Sequence, residues 1–357
     1  MKAVILAGGF GTRLRPLTLD VPKPIVPIFD SPFLYYQTDL LRQVPEIDEV
    51  ILSLNYRPDR IEACVGVGGD AGIPVRYAVE PYPLGTGGAI KYASKGVDDT
   101  VLIFNGDVLT GIDLRAVVQR HRERAARATI VLTPVDNPSA YGLVETDPDG
   151  NVQRFLEKPN PDQITCNTIN AGIYVLEPDT LDRIPDDTTW SIERQYFPSL
   201  VEHGETFVAY VDKSYWLDIG TPASYVRAHR DIMAQRCNAN PFAGHPSNAV
   251  IQRDGCRIAD GAIVEGPCFL GAGCIVEAGA RVGAESVLGA GCSVGPGAVV
   301  ERSILWGNTR IEREAVVRDS VLGEGCLIEA HTHIGPGTVI GSRSTLTAHS
   351  RVFGVTR

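Results

Sequence analysis

Residues 270–300 read LGAGCIVEAGARVGAESVLGAGCSVGPGAVV, and an aliphatic side chain returns at every sixth position: Leu270, Val276, Val282, Leu288, Val294 and Val300. The same step reaches back through Val264 to Ile258, and it resumes downstream at Leu322, Ile328, Ile334, Ile340, Leu346 and Val352. This is not the 3.6-residue period of an amphipathic helix. It is the period of a solenoid in which each repeat supplies one short strand and one turn. Three repeats complete a triangular coil, and the coils above and below bury its aliphatic column. Roughly five coils are implied by the number of repeats. The two runs are out of phase by four residues, which places an insertion or irregular corner between Glu301 and Val321.

The repeat also accounts for most of the thiols. The chain has eight cysteines and no CxxC pair. Cys256, Cys268, Cys274, Cys292 and Cys326 each lie two residues before a member of the aliphatic column, at one small-residue position of the repeat. That pattern predicts buried, reduced, inert thiols rather than a metal or redox site.

Upstream the rhythm changes. Short β-branched runs predict strands over Lys2–Ala7, Glu49–Leu54, Val75–Ala78, Val101–Asn105, Ala128–Val135, Gly142–Glu145, Ile169–Val175 and Phe207–Val211. Amphipathic segments between them predict helices over Pro32–Gln43, with Ser31 as N-cap, over Leu114–Ala126 after Asp113, and finally over Pro222–Gln235. The expected architecture is α/β: a Rossmann-like, mostly parallel sheet domain over residues 1–236, a linker rich in Asn, Pro and Gly over 237–247, and a left-handed parallel β-helix over 248–357. Ligands of such sheets bind at the carboxyl ends of the strands.

With 357 residues, 44% of them hydrophobic, the chain can fill two cores. Its formal net charge of −10 argues against a surface that tracks nucleic acid or an anionic membrane. The run Arg115, Arg120, Arg122, Arg124 and Arg127 lacks aromatics and reads as a solvated helix face. No leader segment and no long apolar stretch is visible, so a cytoplasmic protein without a membrane partner is expected. Phosphate, if bound, must meet a local positive site.

Such a site follows the first strand. Leu6-Ala7-Gly8-Gly9-Phe10-Gly11-Thr12-Arg13-Leu14-Arg15-Pro16-Leu17-Thr18 is succeeded by Pro22-Lys23-Pro24. Three glycines within four positions let the backbone approach a ligand and offer its amides to phosphate oxygens. Arg13 adds a planar charged fork, and Lys23 sits on backbone stiffened by two prolines. The spacing matches neither GxGxxG nor GxxxxGK[ST].

The segment does resemble the signature of the sugar-phosphate nucleotidylyltransferases, GGxGTRLxPLT followed by PKP. Other segments match that family in order: Glu80-Pro81-Tyr82-Pro83-Leu84-Gly85-Thr86, Asn105-Gly106-Asp107, Tyr141-Gly142, Glu157-Lys158-Pro159, Asn170-Ala171-Gly172 and Trp216-Leu217-Asp218-Ile219-Gly220. The resemblance implies attack by a sugar 1-phosphate oxygen on the α-phosphorus of a nucleoside triphosphate, with pyrophosphate leaving. It implies that Leu6, Ala7, Gly8, Gly9, Gly11, Thr12 and Arg13 bind the nucleotide, with Glu80, Gly85 and Thr86 towards the base. Arg13, Lys23 and Asp107 are implied as catalytic, and Asp107 with Asp218 as ligands of Mg²⁺. Lys158 would clamp the sugar phosphate, and Gly142, Glu157, Asn170 and Gly172 would read the sugar. Ser191-Ile192-Glu193 and the C-terminal repeat make the chain most similar to members that join GTP to mannose 1-phosphate. Members using UTP, dTTP or ATP with glucose 1-phosphate, or GTP with another sugar or cyclitol phosphate, stay open. So do a regulatory subunit that senses nucleotide-sugars and, through His331, His333 and His349, an acyltransferase in the solenoid. Homo-oligomers through the β-helix are expected.

Overall fold

The computed structural model describes residues 1–68 and 72–354. The chain forms two compact units that interleave in sequence: Met1–Phe10 with Leu34–Asp218, and Gly11–Phe33 with the chain from Ile219 onward.

The first unit is built on a nine-stranded sheet. Along its main path the strands run Val152–Glu157, Gly142–Thr146, Thr168–Leu176, Val101–Asn105, Lys2–Leu6, Glu49–Leu54 and Val75–Val79. The last four are parallel to one another. The inner three read as nearly unbroken apolar runs such as VLIFN because both faces are covered, whereas Val75–Val79, at the sheet edge, is only partly buried. Thr168–Leu176 runs antiparallel to Val101–Asn105 and to Ala128–Pro134, and Phe207–Val211 extends the latter in parallel. The sheet is therefore parallel around Lys2–Leu6 and antiparallel around Thr168–Leu176. All eight expected strands form, shifted by at most a residue or two. Val152–Glu157 escapes the sequence reading because an edge strand carries polar side chains such as Gln153 and Arg154.

Asp113 caps its helix as expected, accepting from the Arg115 and Ala116 amides at 3.0 and 3.3 Å. Ser31 does not. The helix spans Phe33–Leu41, and Ser31–Pro32 instead pairs antiparallel with Pro27–Ile28. The Phe33 amide donates to the Val26 carbonyl at 3.0 Å, so the ribbon supplies the acceptor that a cap would have provided.

In the second unit three six-stranded parallel sheets form the β-helix. Six coils are present rather than five, because the first begins with Val250–Gln252, before the hexad run becomes regular. The phase shift is not an insertion. Coils pair at a spacing of eighteen residues at Val250↔Cys268, but of seventeen at Val300↔Val317 and Ile304↔Val321. The aliphatic column takes two five-residue steps, Val300 to Leu305 and Val317 to Leu322. Counted by sixes, two losses of one residue are indistinguishable from a gain of four. The shortened corners are closed by Arg302 and Asp319 at φ 49° and 45°, with Arg302 Nε and Nη2 donating to the two Asp319 carboxylate oxygens at 2.8 Å each.

Cys256, Cys274, Cys292 and Cys326 stack in one column, with Thr309 between the last two. Each thiol donates to a turn carbonyl of the next coil, at 3.1 Å to Gly271, 3.2 Å to Gly289, 3.2 Å to Trp306 and 3.2 Å to Gly341. Cys268 holds the matching place on another face, and burial pushes its thiol up to about 12. None of the eight cysteines is in a disulfide.

The helix Pro222–Met233 begins with Thr221 accepting from the Ser224 amide at 3.1 Å. Its inner face carries Tyr225 and His229. Phe29 is buried among the rings of His229, Phe242 and Phe269, with centroids at 4.8, 5.4 and 5.4 Å. Among the described residues, no helix is long and apolar enough to cross a membrane.

Candidate active site

In the first unit the strand Lys2–Leu6 delivers Leu6 and Ala7 to the sheet edge, where the Ala7 amide bonds the Ser53 carbonyl at 2.9 Å. The Leu6 carbonyl accepts from the Gly106 amide at 3.0 Å. A Cβ on Gly106 would lie 2.2 Å from that oxygen, so the Asn-Gly-Asp turn admits no side chain at its centre. Asp107 follows. The strand Val108–Thr110 then pairs with Trp216–Asp218, setting Asp218 opposite Val108 and bringing the two carboxylates to neighbouring places on one ribbon. Gln37, only 1% exposed, closes the turn from behind: its amide donates to the Asn105 carbonyl at 2.8 Å and the Val108 carbonyl at 3.1 Å. Two hard oxygen donors on a fixed ribbon suit Mg²⁺, which binds one or two carboxylates and completes its shell with water and substrate phosphate. Among the described residues no three His, Cys, Asp or Glu side chains cluster as a ready-made cage.

Gly8 also needs its bareness. A Cβ there would lie 3.0 Å from the Asn55 amide nitrogen and 3.2 Å from Glu80 Oε1. Glu80 is nearly buried, and its two oxygens accept from the Ser53 hydroxyl at 3.1 Å and the Leu84 amide at 2.9 Å. Burial raises its carboxyl above the usual range, against the pull of those two bonds. Both contacts hold the entry of the helix Gly85–Ala93. Gly85 enters it at φ 69° against the Trp190 carbonyl, and Thr86 donates to Glu193 Oε2 at 2.7 Å while accepting from the Ile192 amide at 2.9 Å.

At the antiparallel side, Gly142 lies against Phe155 and Glu157: an added Cβ would be 2.7 Å from Phe155 Cζ and 3.1 Å from Glu157 Oε2. Glu157 is half-buried. Burial first, then the charge of Glu193, raises its carboxyl. The adjacent Lys158 is exposed at φ 50°, its amide held by the Tyr141 carbonyl at 3.1 Å. Asn170 donates to the Tyr174 hydroxyl at 2.8 Å and accepts from the Gly172 amide at 2.9 Å. Gly172, at φ 77°, passes Asn105 so closely that a Cβ would sit 2.8 Å from its Nδ2. Trp216 Nε1 donates to the Ala171 carbonyl at 2.9 Å, tying the Asp218 strand to this turn.

The signature crosses into the second unit between Phe10 and Gly11. There Gly11 turns at φ 60°, its carbonyl accepts from the Thr18 hydroxyl at 2.7 Å, and a Cβ would meet Thr18 Cγ2 at 3.2 Å and Lys23 Cβ at 3.4 Å. The segment thus folds back and brings Lys23 beside Gly11. Thr12–Leu14 forms a 3₁₀ turn that buries Leu14 and leaves Thr12 and Arg13 exposed; Lys23–Ile25 forms another after Pro22. Gln37 and Tyr174 were missed by the sequence reading. A polar residue on the apolar face of the Phe33–Leu41 helix was the available signal for Gln37.

A family model for nucleotidyl transferases matches residues 2–235. The chain belongs to the nucleotidyl transferase family. A second model, the LbH domain of the EIF2B epsilon subunit, matches residues 247–352, in line with the β-helix. Among relatives, a mannose-1-phosphate guanylyltransferase of Mycobacterium tuberculosis is 42% identical over 76% of this chain and 75% of its own. A probable mannose-1-phosphate guanylyltransferase of Oryza sativa is 34% identical over 96% and 91%. A UTP–glucose-1-phosphate uridylyltransferase of Synechocystis is 32% identical over 92% and 88%. HddC from Yersinia pseudotuberculosis, whose structure is also known with GMP-PN, superposes with a TM-score of 0.56 at 33% identity, over 65% of this chain and 99% of its own. This nucleotidyl transferase is an enzyme that transfers the nucleoside monophosphate of a nucleoside triphosphate to a sugar 1-phosphate, releasing pyrophosphate. The family generally works with a divalent metal.

Proposed function

We propose that the chain converts GTP and mannose 1-phosphate into GDP-mannose and pyrophosphate. The observation that carries this reading is the agreement with relatives named for that reaction, at 42% identity over 76% of the chain and at 34% over 96% of it, solenoid included. A phosphate oxygen of mannose 1-phosphate attacks the α-phosphorus, the bond to the β-phosphate oxygen breaks, and pyrophosphate departs with the electron pair. Such a transfer needs alignment and charge neutralisation more than covalent help.

In this proposal Leu6, Ala7, Gly8, Gly9, Gly11 and Thr12 lay backbone along the nucleotide. Arg13 neutralises the departing pyrophosphate, and Lys23 the α-phosphate as charge builds. Lys158 fixes the sugar phosphate, while Glu157, Asn170, Gly142 and Gly172 read sugar hydroxyls. Gly85 lies towards the base, and Glu80 and Thr86 shape that wall through the bonds described above. Asp107 and Asp218 would hold Mg²⁺, which would supply positive charge against the phosphates. Homo-oligomerisation through the β-helix and a cytoplasmic setting belong to the same proposal; light scattering tests the first.

The Synechocystis relative makes uridylyl transfer to glucose 1-phosphate the second reading. A pyrophosphate-release screen of GTP, UTP, dTTP, CTP and ATP against mannose, glucose and related 1-phosphates separates them. The highest kcat/KM is expected for GTP with mannose 1-phosphate, and a preference for UTP with glucose 1-phosphate would replace the reading.

A further inference from the structure

The segment Gly11–Phe33, which carries Arg13 and Lys23, is compact with the solenoid and its leading helix. Besides the Phe29 cluster, two sets of contacts bear on the stretch around the two cations. A buried relay starts on the fourth coil: Trp306 Nε1 donates to the Tyr225 hydroxyl at 2.8 Å, and that hydroxyl donates to the Pro27 carbonyl at 2.6 Å, four residues after Lys23. Trp306 and Tyr225 are 4% and 0% exposed, so the first bond is shielded from water, and the second is partly buried. The second set lies on the last coil. Arg343 reaches Asp20 at 2.6 Å, and Gly341 lies so near Pro16 that an added Cβ would stand 3.3 Å from Pro16 Cβ. Pro16 and Asp20 fall between Arg13 and Lys23, whereas Pro27 lies just beyond.

We infer that the β-helix is a positioning platform for the phosphate-binding segment: Trp306 and Tyr225 fix its Lys23 end, and Gly341 and Arg343 fix its middle. Trp306, Tyr225 and Arg343 are positioning residues that act through Arg13 and Lys23. The inference rests on the reading of those two cations as phosphate ligands.

The test uses the full-length enzyme with Trp306→Phe, which keeps the buried ring and removes its donor, combined with Arg343→Glu on the surface. Kinetics and hydrogen exchange are read together, with circular dichroism confirming the fold. Exchange should quicken in peptides covering residues 12–28 while the coils on either side of Trp306 keep their protection. Turnover should fall about tenfold, since small displacements of aligned groups cost that much or more. KM for the sugar 1-phosphate should hold, because every residue proposed to read the sugar lies in the first unit. Pairing Arg343→Asp with Asp20→Arg should restore most of what Arg343→Glu loses alone. Unchanged exchange in residues 12–28 of a folded double variant would overturn the platform. Quickened exchange with unchanged turnover would leave the mechanical link standing and overturn the roles given to Arg13 and Lys23.

Discussion

Asp107 owes its place to Gln37 as well as to its own strand. The Gln37 amide spends both hydrogens on the carbonyls either side of the Gly106-Asp107 turn. Gln37→Leu strands the buried Val108 carbonyl, at about 1–3 kcal/mol, removes the donor to the half-buried Asn105 carbonyl, and releases the turn. The expected result is a Mg²⁺ concentration for half-maximal rate raised about tenfold, with the order of substrate preference unchanged, since metal sites lose about that much when supporting hydrogen bonds go. Asp107→Ala and Lys23→Ala should go further, lowering turnover roughly 100-fold or more while circular dichroism stays native; full activity in either would remove its assigned role. His229 offers a different test. The Phe29 amide donates to its Nε2 at 3.1 Å and its Nδ1 faces the Tyr225 carbonyl at 3.0 Å, so the ring is neutral with its proton on Nδ1. Burial pushes its pKa from 6.5 to about 4. The folded value is the lower one, so stability is complete at neutral pH. It is lost as pH falls from 6.5 towards 4, where the unfolded chain binds a proton that the folded chain refuses. The loss approaches about 3 kcal/mol, readable as a falling urea midpoint between pH 7.5 and 4.5.

Among elements, what the sequence discloses depends on how much of an element's environment is written into its own residues. The three inner parallel strands are covered on both faces, so their runs are apolar and their bounds could be read almost to the residue. Val152–Glu157 is half solvated and its pattern is diluted. The hexad column announced the solenoid, yet a count by sixes hides two tightened corners, because Arg302 and Asp319 close them through a contact seventeen residues apart. The same distinction governs the site. Gly8, Gly106 and Gly172 stand out by composition, and the structure supplies the atom that each avoids. Gln37 acts on carbonyls 68 and 71 residues away, so its own helix shows only a polar residue on an apolar face and not what it holds. The thiol column gives this scale its prediction. Cys64 is exposed, whereas Cys268, Cys274, Cys292 and Cys326 are buried. Alkylation at pH 8 followed by mass spectrometry should label Cys64 within minutes and leave those four untouched until denaturant is added. Rapid native labelling of Cys292 would show the coils to be looser than their bonding implies.

At the scale of the molecule, the chain does not divide where its sequence changes period: the compact unit that holds the solenoid also takes in residues 11–33. One feature of that unit bears on how the enzyme meets heat. Among the described residues the sixth coil ends all three sheets, so each of its strands has a hydrogen-bonded neighbouring strand on one side only. In stacked repeats the end unit is the first to open. Gly341 and Arg343 sit in that coil, which makes it a thermal fuse: warming frees Pro16 and Asp20 while the inner coils are still closed. Catalysis should then fade several degrees below the melting transition and return on cooling, as a rate-against-temperature curve set beside a circular dichroism melt would show. Loss of rate only at the melt itself would mean that the fuse does not exist.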